Sequence, residues 1–540
     1  MPITLSTAYL AEIARRINTP NVIMEVTLDS GVVKWGYADG GFIDVVPIIK
    51  TVSSSQAKLD TESGWTTRGE ITFVIAGREN FKSLIANNYL MNRRVVKKEG
   101  FLATGFLYTD YAAVFSGKIT DWSRSGDELT LTVSDDLFDT TINIPAENAD
   151  KTQYIDYTHI NPLNAMQNIL DTQLGISTAY IDLDKFASER DTWRNGWTYN
   201  RVITEPKAAI DYLNELQEET HSYIYHDGAK ISLKVFAPSL PSEAVEEWSD
   251  NIILMDSISQ TSGYKDNFFN RIVIYYDYDE SGSDNADNYD SAVIVIDATS
   301  QGAAQWNDVS SKTIKSKWIR TYRHNMPATI AGCVVYHASK NNGAGNGTLT
   351  FTYDATNGNT IQWTPPGGSG IGEAIKITEN GKFSVYGLDT TKYVDVIITT
   401  ASLPTSNATA TLTFTAINGA IYAGYLAQSY LSKYRNPATT FTFDIDLNNV
   451  VYNSKYMTVT DYKDITSDEF SEKGVLGWNQ ERIMLTSIKP DIEAGKITIE
   501  GIETGFYYQY GIIAPAGYPD WDSASDAQKA YGYIGHCNIL

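Results

Sequence analysis

Apolar and polar residues alternate over short stretches along most of this chain, and Gly, Asp or Asn breaks the pattern at regular intervals. The opening block reads NVIMEVTLD, VVKWGYA, VVPIIKTVS, GEITFVIAG, RRVVKKEGFL, AAVFSGKITDWSR and DELTLTVSDD. Period-two alternation with turn residues between the runs predicts strands, so residues 1–145 are expected to form a β-barrel or sandwich. A short helix precedes it over 6–18. Ser6 or Thr7 would cap that helix, and Tyr9, Leu10, Ile13 and Ile17 recur at helical spacing.

The period changes between 146 and 250. NPLNAMQNILDTQLG predicts a helix stopped by Gly175, and TEPKAAIDYLNELQEET predicts a second, with Pro206 in its first turn. HSYIYHDGAKISLKVF reads as a hairpin with a two-residue turn at Asp227 and Gly228. Residues 251–335 return to strands (FFNRIVIYYDYD, AVIVIDA, KTIKSKWIRTY), separated by the polar loop ESGSDNADNYDS. Residues 336–420 are rich in Thr and Gly and predict an inserted Ig-like β-sandwich, whose two ends should lie close together. An amphipathic helix over 421–434 (IYAGYLAQSYLSKY) then leads into ATTFTFDIDL, a turn at Asn448 and Asn449, VVYNSKYMTVT, ERIMLTSIKP and KITIEGIET. These strands, with 251–335, predict a second barrel split by the sandwich. The aromatic tail 506–540 predicts an extended arm, with Ser523 capping one short helix. The expected fold class is mainly β with α+β parts, in several domains.

Composition narrows the function. The net charge of −23, from 65 acidic and 42 basic residues, opposes a general nucleic-acid surface. The run RRVVKK at 93–98 is the one local exception and reads as a solvated or inter-subunit strand. The 35 Tyr residues suit strands and protein contact faces. Two cysteines build no disulfide framework; Cys333 lies in an apolar run, and Cys537 lies in the last four residues. No signal peptide and no membrane-spanning stretch is expected.

Candidate chemistry is sparse. Asp277, Asp279, Gly282 and Asp284 carry a faint calcium-loop spacing within 277–290, but the twelfth position is Asn288 rather than Glu. His221 and His226 lie five apart, on opposite faces of a strand, without further zinc ligands nearby. Asp135 and Asp136 are adjacent and read as a strand-end cap. No nucleophile elbow, P-loop or HExxH motif occurs, so no catalytic residue, cofactor or metal is assigned and no enzyme is expected. Trp363 with Tyr353 and Tyr386 could form an aromatic ledge for carbohydrate, although Trp363 also fits the core of the sandwich.

The turn-rich stretch VVPIIKTVSSSQAKLDTESGWTTRGEITF, then FSGKITDW and LTLTVSDDL, resembles the first barrel of tail-tip and baseplate hub proteins of tailed bacteriophages and gene transfer agents. RVITEPKAAIDYLNELQEETHSYIYHDGAKISLKVF resembles the helix-plus-hairpin element of that family, and FNRIVIYYDYD its following strand. The helix at 421 and the strands after it complete the order. The resemblance implies a homotrimer on two related barrels per subunit, capping the tail tube in the virion after synthesis in the host cytoplasm. It implies a distal tail protein, the tape measure protein and a central fibre or receptor-binding proteins as partners, with DNA met only in passage. Some hubs of this kind hold an iron–sulfur cluster on four cysteines, which Cys333 and Cys537 do not supply. Alternatives are a distal tail or fibre-anchoring protein, or a carbohydrate-binding or glycan-active protein contacting host surface glycan.

Overall fold

The structure is a computed structural model. It describes residues 5–504 except 16, 55–56, 60–68, 147–153, 229, 238–244, 262–266, 279–287, 326–332, 339–346, 366–369, 380, 389–392, 399–404, 417–418, 447–456, 473–474 and 492–493. The expected C-terminal arm with Cys537, the turn at Asn448 and Asn449, and most of the 277–290 loop lie outside the described residues. The chain is mainly β, with several sheets and several helices.

The first sheet contains β1 (Pro20–Leu28), β2 (Gly31–Gly36), β3 (Val45–Val46), β4 (Ile49–Val52), β6 (Glu70–Ala76), β7 (Arg94–Phe101), β8 (Ala112–Ser125) and β9 (Glu128–Ser134); β5 (Ala57–Lys58) leaves it. Its order is β3-β2-β1-β7-β8-β9-β6-β4. Alternation puts Ile71, Phe73, Ile75, Leu129, Leu131 and Val133 inside. The two edge strands, β3 and β4, are separated in sequence only by Pro47 and Ile48. A sheet whose edges are joined by so short a link must roll up, and the result is barrel-like. Helix α1 (Thr7–Ile13) lies on its outer face and α2 (Arg78–Asn87) links β6 to β7. Ser6 caps α1 by accepting the Tyr9 N–H at 3.0 Å. The helix ends five residues short of the expectation and leaves Ile17 exposed, because the chain turns into β1 at Pro20.

Two short ladders follow, β10 (Asn143–Ile144) with β13 (Lys207–Ala208) and β11 (Ile155–Asp156) with β12 (Val202–Ile203). They frame α3 (Pro162–Asn168), α4 (Leu183–Trp193) and α5 (Ala209–Thr220). Asn161 caps α3, with Pro162 in its first turn, and Gly175 ends the helical stretch at φ +67°. Pro206 stands outside α5, because Lys207 and Ala208 pair with Asn143 and Ile144 before the helix starts. The hairpin β14 (Ser222–His226) and β15 (Ile231–Val235) comes next.

The second large sheet contains β16 (Glu246–Ser249) and β17 (Ile253–Thr261). After a long excursion come β29 (Thr440–Asp446), β30 (Tyr462–Glu472), β31 (Val475–Asp491) and β32 (Lys496–Glu503). Its order is β16-β30-β31-β32-β29-β17, and only residues 250–252 separate its edge strands. This is the topology of the first sheet again. In both, the order of pairing 4-6-9-8-7 and 17-29-32-31-30 uses strands in the same chain sequence, all antiparallel. The first sheet adds the β1–β2 hairpin between β7 and β3. Adding two antiparallel strands preserves direction, so β3 runs parallel to β2 as β16 runs parallel to β30.

The excursion between β17 and β29 holds two units. In the first, β18 (Arg271–Tyr278), β19 (Tyr289–Ile296) and β20 (Ser311–Lys315), with α6 (Ala298–Gln301), form a three-stranded sheet ordered β19-β18-β20. The second is a sandwich. One sheet has β21 (Tyr322–Asn325), β23 (Gly347–Thr352), β24 (Asn359–Thr364), β25 (Ile375–Ile377) and β28 (Ala408–Ala416); the other has β22 (Cys333–Ala338), β26 (Gly381–Tyr386) and β27 (Tyr393–Ile398). Helix α7 (Gly419–Tyr434) returns the chain.

Two expected boundaries are corrected. β21 pairs with β28 and β22 with β27, so these two strands belong to the sandwich rather than to a split barrel. β18–β20 also stay out of the second barrel. Ile272, Ile274 and Ile314 share one core with α3, α5 and α7, so β18, β20 and α7 complete the middle unit. Among the described residues no helix is long and apolar enough to cross a membrane.

Candidate functional site at the junction of the barrels

The β14–β15 hairpin is where the units meet. All ten of its strand residues are buried, and alternation divides them. Ile224, Ile231, Leu233 and Val235 face the middle core, while Tyr223 and Tyr225 enter the core of the second barrel. The strand pair is therefore a shared wall. Each large apolar side chain buried there contributes roughly 1.5–3 kcal/mol. The turn is shifted by one residue from the expectation. The Asp227 N–H donates to the Lys230 carbonyl at 2.9 Å and the Asp227 carboxylate accepts the Lys230 N–H at 2.7 Å, so Gly228, at φ +99°, opens the loop.

At the hairpin tip His226 reaches the first barrel. Its Nε2 lies 3.8 Å from Asp136, an ion-pair rather than a hydrogen-bond distance. The Gly228 N–H donates to Nδ1 at 3.1 Å. Burial lowers the His226 pKa, but Asp136 and the neighbouring charges of Asp135 and Asp227 outweigh it and raise the value. Asp136 also takes both arms of Arg94 at 2.8 and 2.7 Å, and Arg94 stacks on Tyr180 at 3.6 Å. Asp135 caps the following 3-10 turn by accepting the Leu137 N–H, and it binds the Gly69 N–H. The adjacent aspartates thus divide their work between a cap and an ion pair.

A second tie joins the barrels directly. β5 leaves the first barrel and pairs antiparallel with β31 of the second. The Leu59 N–H donates to the Thr486 carbonyl at 2.7 Å, and the Leu59 side chain is buried in the second barrel's core.

The end of α5 organises the middle unit. The last carbonyls of a helix lack partners within it. Here Tyr430 Oη donates to the Glu218 carbonyl at 3.0 Å, Tyr199 Oη to that of Glu219 at 2.5 Å and Arg194 to that of Thr220 at 2.6 Å. His221 ends the helix at φ +48°. Its ring stacks on Tyr430 at 4.0 Å and on Phe236 at 4.5 Å, and its Nδ1 meets Ser429 Oγ at 2.7 Å. Burial, with Lys433 and other cations near, drives its pKa well down. Burial pushes Glu219 up to about 8, although Ser316 and the Lys317 N–H hydrogen-bond it. These titratable groups are closed from solvent and held by fixed partners. The arrangement fixes helices and strands against one another.

The residues singled out by sequence disperse. His221 sits on a helix cap and His226 at a strand end, each with its own partners. Trp363 is fully buried in the sandwich core, so its ring offers no surface ledge, while Tyr353 and Tyr386 are exposed. Asp277 turns both oxygens to Thr321, accepting its N–H and hydroxyl, and so anchors the entry to the sandwich. The basic run is internally paired: Arg93 with Asp29, Arg94 with Asp136, Lys97 with Glu99 and Lys98 with Glu25. Among the described residues no group of three or more His, Cys, Asp or Glu side chains is placed to hold a metal. The Leu59 tie and the Arg194–Tyr199–Tyr430 cap escaped sequence reading, since neither carries a local motif.

No family model matches the chain, and no curated protein does. Among solved structures, the 43 kDa tail protein of prophage MuSo2 from Shewanella oneidensis aligns over 90% of this chain and 99% of its own, at 8% identity and a TM-score of 0.42. A chain of a native gene transfer agent virion aligns over 24% of this chain and 44% of its own, at 15% identity and a TM-score of 0.20. Both scores fall below the level of a shared fold, so the functional reading rests on this chain's own geometry.

Proposed function

We propose that this protein is a structural, non-enzymatic component of a bacteriophage-type virion, a baseplate hub or tail-tip protein that caps the tail tube. The repeated barrel carries the reading. One chain contains two sheets of the same strand order, tied by β5 and walled by one hairpin. Three such chains around an axis present six similar barrels, a count that suits a sixfold tube. The buried, paired charges suit a part that must stay rigid under load. A distal tail protein, the tape measure protein and a central fibre or receptor-binding protein are the partners this position entails, with DNA passing through the channel.

Mass photometry of the purified 59.9 kDa chain should show a trimer, and quantitative mass spectrometry of particles should count three copies. Six copies would favour a distal tail ring. A stable monomer absent from every particle fraction would end the proposal.

A further inference from the structure

The two barrels repeat one another down to single residues. Asn92 and Thr460 both take left-handed backbone, at φ +63° and +78°. The Asn92 N–H donates to the Ile119 carbonyl at 2.8 Å, and the Thr460 N–H to the Leu485 carbonyl at 2.7 Å. In return the Ile119 N–H donates to Arg93 and the Leu485 N–H to Asp461, each at 2.9 Å. Each long strand then bulges by one residue. The pairing of β8 with β9 jumps from Ile119 to Asp121, and that of β31 with β32 from Leu485 to Ser487. Thr120 therefore corresponds to Thr486, Asp121 to Ser487 and Trp122 to Ile488.

In the second barrel this bulge is a docking slot. The Thr486 carbonyl accepts the Leu59 N–H, and Lys58 and Ala57 lie opposite Ser487 and Ile488. Lys58 Nζ stands 3.6 Å from Glu500, the cross-strand partner of Ser487. The incoming strand leaves Ile488 only 3% exposed. The first barrel has the same slot with no such strand in it. Beyond Ile119, among the described residues, β8 pairs with β9 alone. Asp121 through Ser125 are exposed, Trp122 by 38%. The Trp122 N–H turns to the carboxylate of Asp121 at 2.8 Å rather than to a ladder. Helix α2 meets β8 nearer its turn, where the Arg124 guanidinium lies 5.6 Å from the Phe81 ring. The slot also keeps its carboxylate. Asp121 is the cross-strand partner of Thr132, the counterpart of Glu500, so each slot presents one acid on the same pair of positions.

We propose that β8 at Thr120–Trp122 accepts an extended segment from a second copy of this chain, presented by that copy's second barrel. Within one chain the first barrel sends its tie to the second from the end where β4 meets β6. The counterpart in a neighbour is the end of its second barrel where β17 meets β29. Repeating the contact between chains sets second barrel on first barrel by the rule that already sets first on second. Such a head-to-tail contact closes into a ring. The incoming strand runs antiparallel, donates an N–H to the Thr120 carbonyl, covers Trp122 as β5 covers Ile488, and sets a basic side chain against Asp121. The inference rests on the proposed virion role in requiring self-association.

Hydrogen–deuterium exchange and mass photometry of the full chain over a range of concentrations test it. Amides of 121–124 should exchange at least about tenfold slower in the assembled form than in the monomer. Trp122→Pro removes an N–H that the β8–β9 ladder does not use, and Asp121→Lys reverses the acid of the slot. Each should weaken self-association about tenfold, with exchange in β9 and β31 unchanged. A chain that assembles while 121–124 stay unprotected, and that ignores both variants, would overturn the proposal and leave the virion role standing. Slow exchange of 121–124 in the monomer would assign the slot to the chain's own residues and overturn it too. A chain that is monomeric at every concentration and absent from particles would overturn both.

Discussion

Replacing Lys433 by Met should stabilise the protein, and by an amount that depends on pH. Lys433 lies in the last turn of α7 and is 2% exposed. Its Nζ donates to Tyr223 Oη at 2.7 Å, and the rings of Phe236, Tyr434 and Tyr223 stand 4.7, 4.8 and 5.2 Å away. Burial, then the charge of Lys312, pushes its pKa down from 10.5 to about 7. At about 1.4 kcal/mol per pKa unit, the ceiling on the penalty is ~5 kcal/mol. The sign follows from proton counts. Below pH 7 both states hold the proton and the folded state bears the whole penalty. From pH 7 to 10.5 the unfolded state binds more protons, so stability rises with pH and the penalty fades. Methionine keeps a flexible, unbranched stem but forgoes the hydrogen bond, worth about 1 kcal/mol, and the attraction of the rings. Tyr223 Oη retains His221 Nε2 at 3.4 Å. The expected net gain is about 1–4 kcal/mol at pH 6, vanishing by pH 10. Glu219 titrates in both proteins and cancels in the difference. Urea unfolding followed through exchange of α7 amides, at four pH values from 6 to 10, measures it. A gain that stays constant with pH, or a loss at pH 6, would show that no buried charge is being relieved.

Three further outcomes follow from the junctions. Leu59→Ala should cost about 2–5 kcal/mol and speed exchange in β31 while leaving β9 protected, because the deleted side chain fills the second barrel. Gly419→Ala should cost about 1–3 kcal/mol and reorient a still-folded sandwich, seen by small-angle scattering, since a Cβ there would lie 2.6 Å from the Arg320 carbonyl oxygen. Asp136→Asn should cost about 3–5 kcal/mol by stranding Arg94, and NMR titration should show the His226 pKa fall.

How much of this was legible in the sequence varies with how local the cause is. Alternating strands such as GEITFVIAG appear as β6, and the amphipathic run at 421–434 appears as α7 with Tyr422, Leu426, Tyr430 and Tyr434 inward. Three helices were missed, among them the four-residue α6. α2 (RENFKSLIAN) interrupts a run of strands with only Phe81 and Leu84 buried. α4 buries just Phe186 and Glu189, although Asp182 before it does act as an N-cap through the Lys185 N–H. β30 was missed because DYKDITSDEF is polar, and its place is set by neighbours on both sides. Sheet membership was the least legible feature. A strand such as FFNRIVIYYDYD looks the same whether it joins a barrel or a three-stranded sheet under α7, and only long-range packing decides. The buried seam around α5 was hidden for the same reason: Arg194, Tyr199 and Tyr430 converge from three distant parts of the chain.

The nesting itself has a physical logic. The second barrel opens at Thr261 and resumes at Thr440, and these two residues are cross-strand partners. Inside that excursion the sandwich opens at Arg320 and closes at Gly419, whose backbones touch, and Tyr322 pairs with Ala416. Each insertion therefore leaves and returns at adjacent points, as a hairpin loop does. Closing a long loop costs only slightly more than closing a short one, because the entropy grows with the logarithm of length. The first barrel spans the equivalent gap, between β4 and β6, with a much shorter loop, and that loop supplies β5 and Leu59 to the second barrel. The same site in the repeated fold thus carries a tie in one copy and a whole additional unit in the other. The strand order can stay fixed while the β4–β6 position varies, which makes that position the natural place for such a chain to acquire new contacts without disturbing either core.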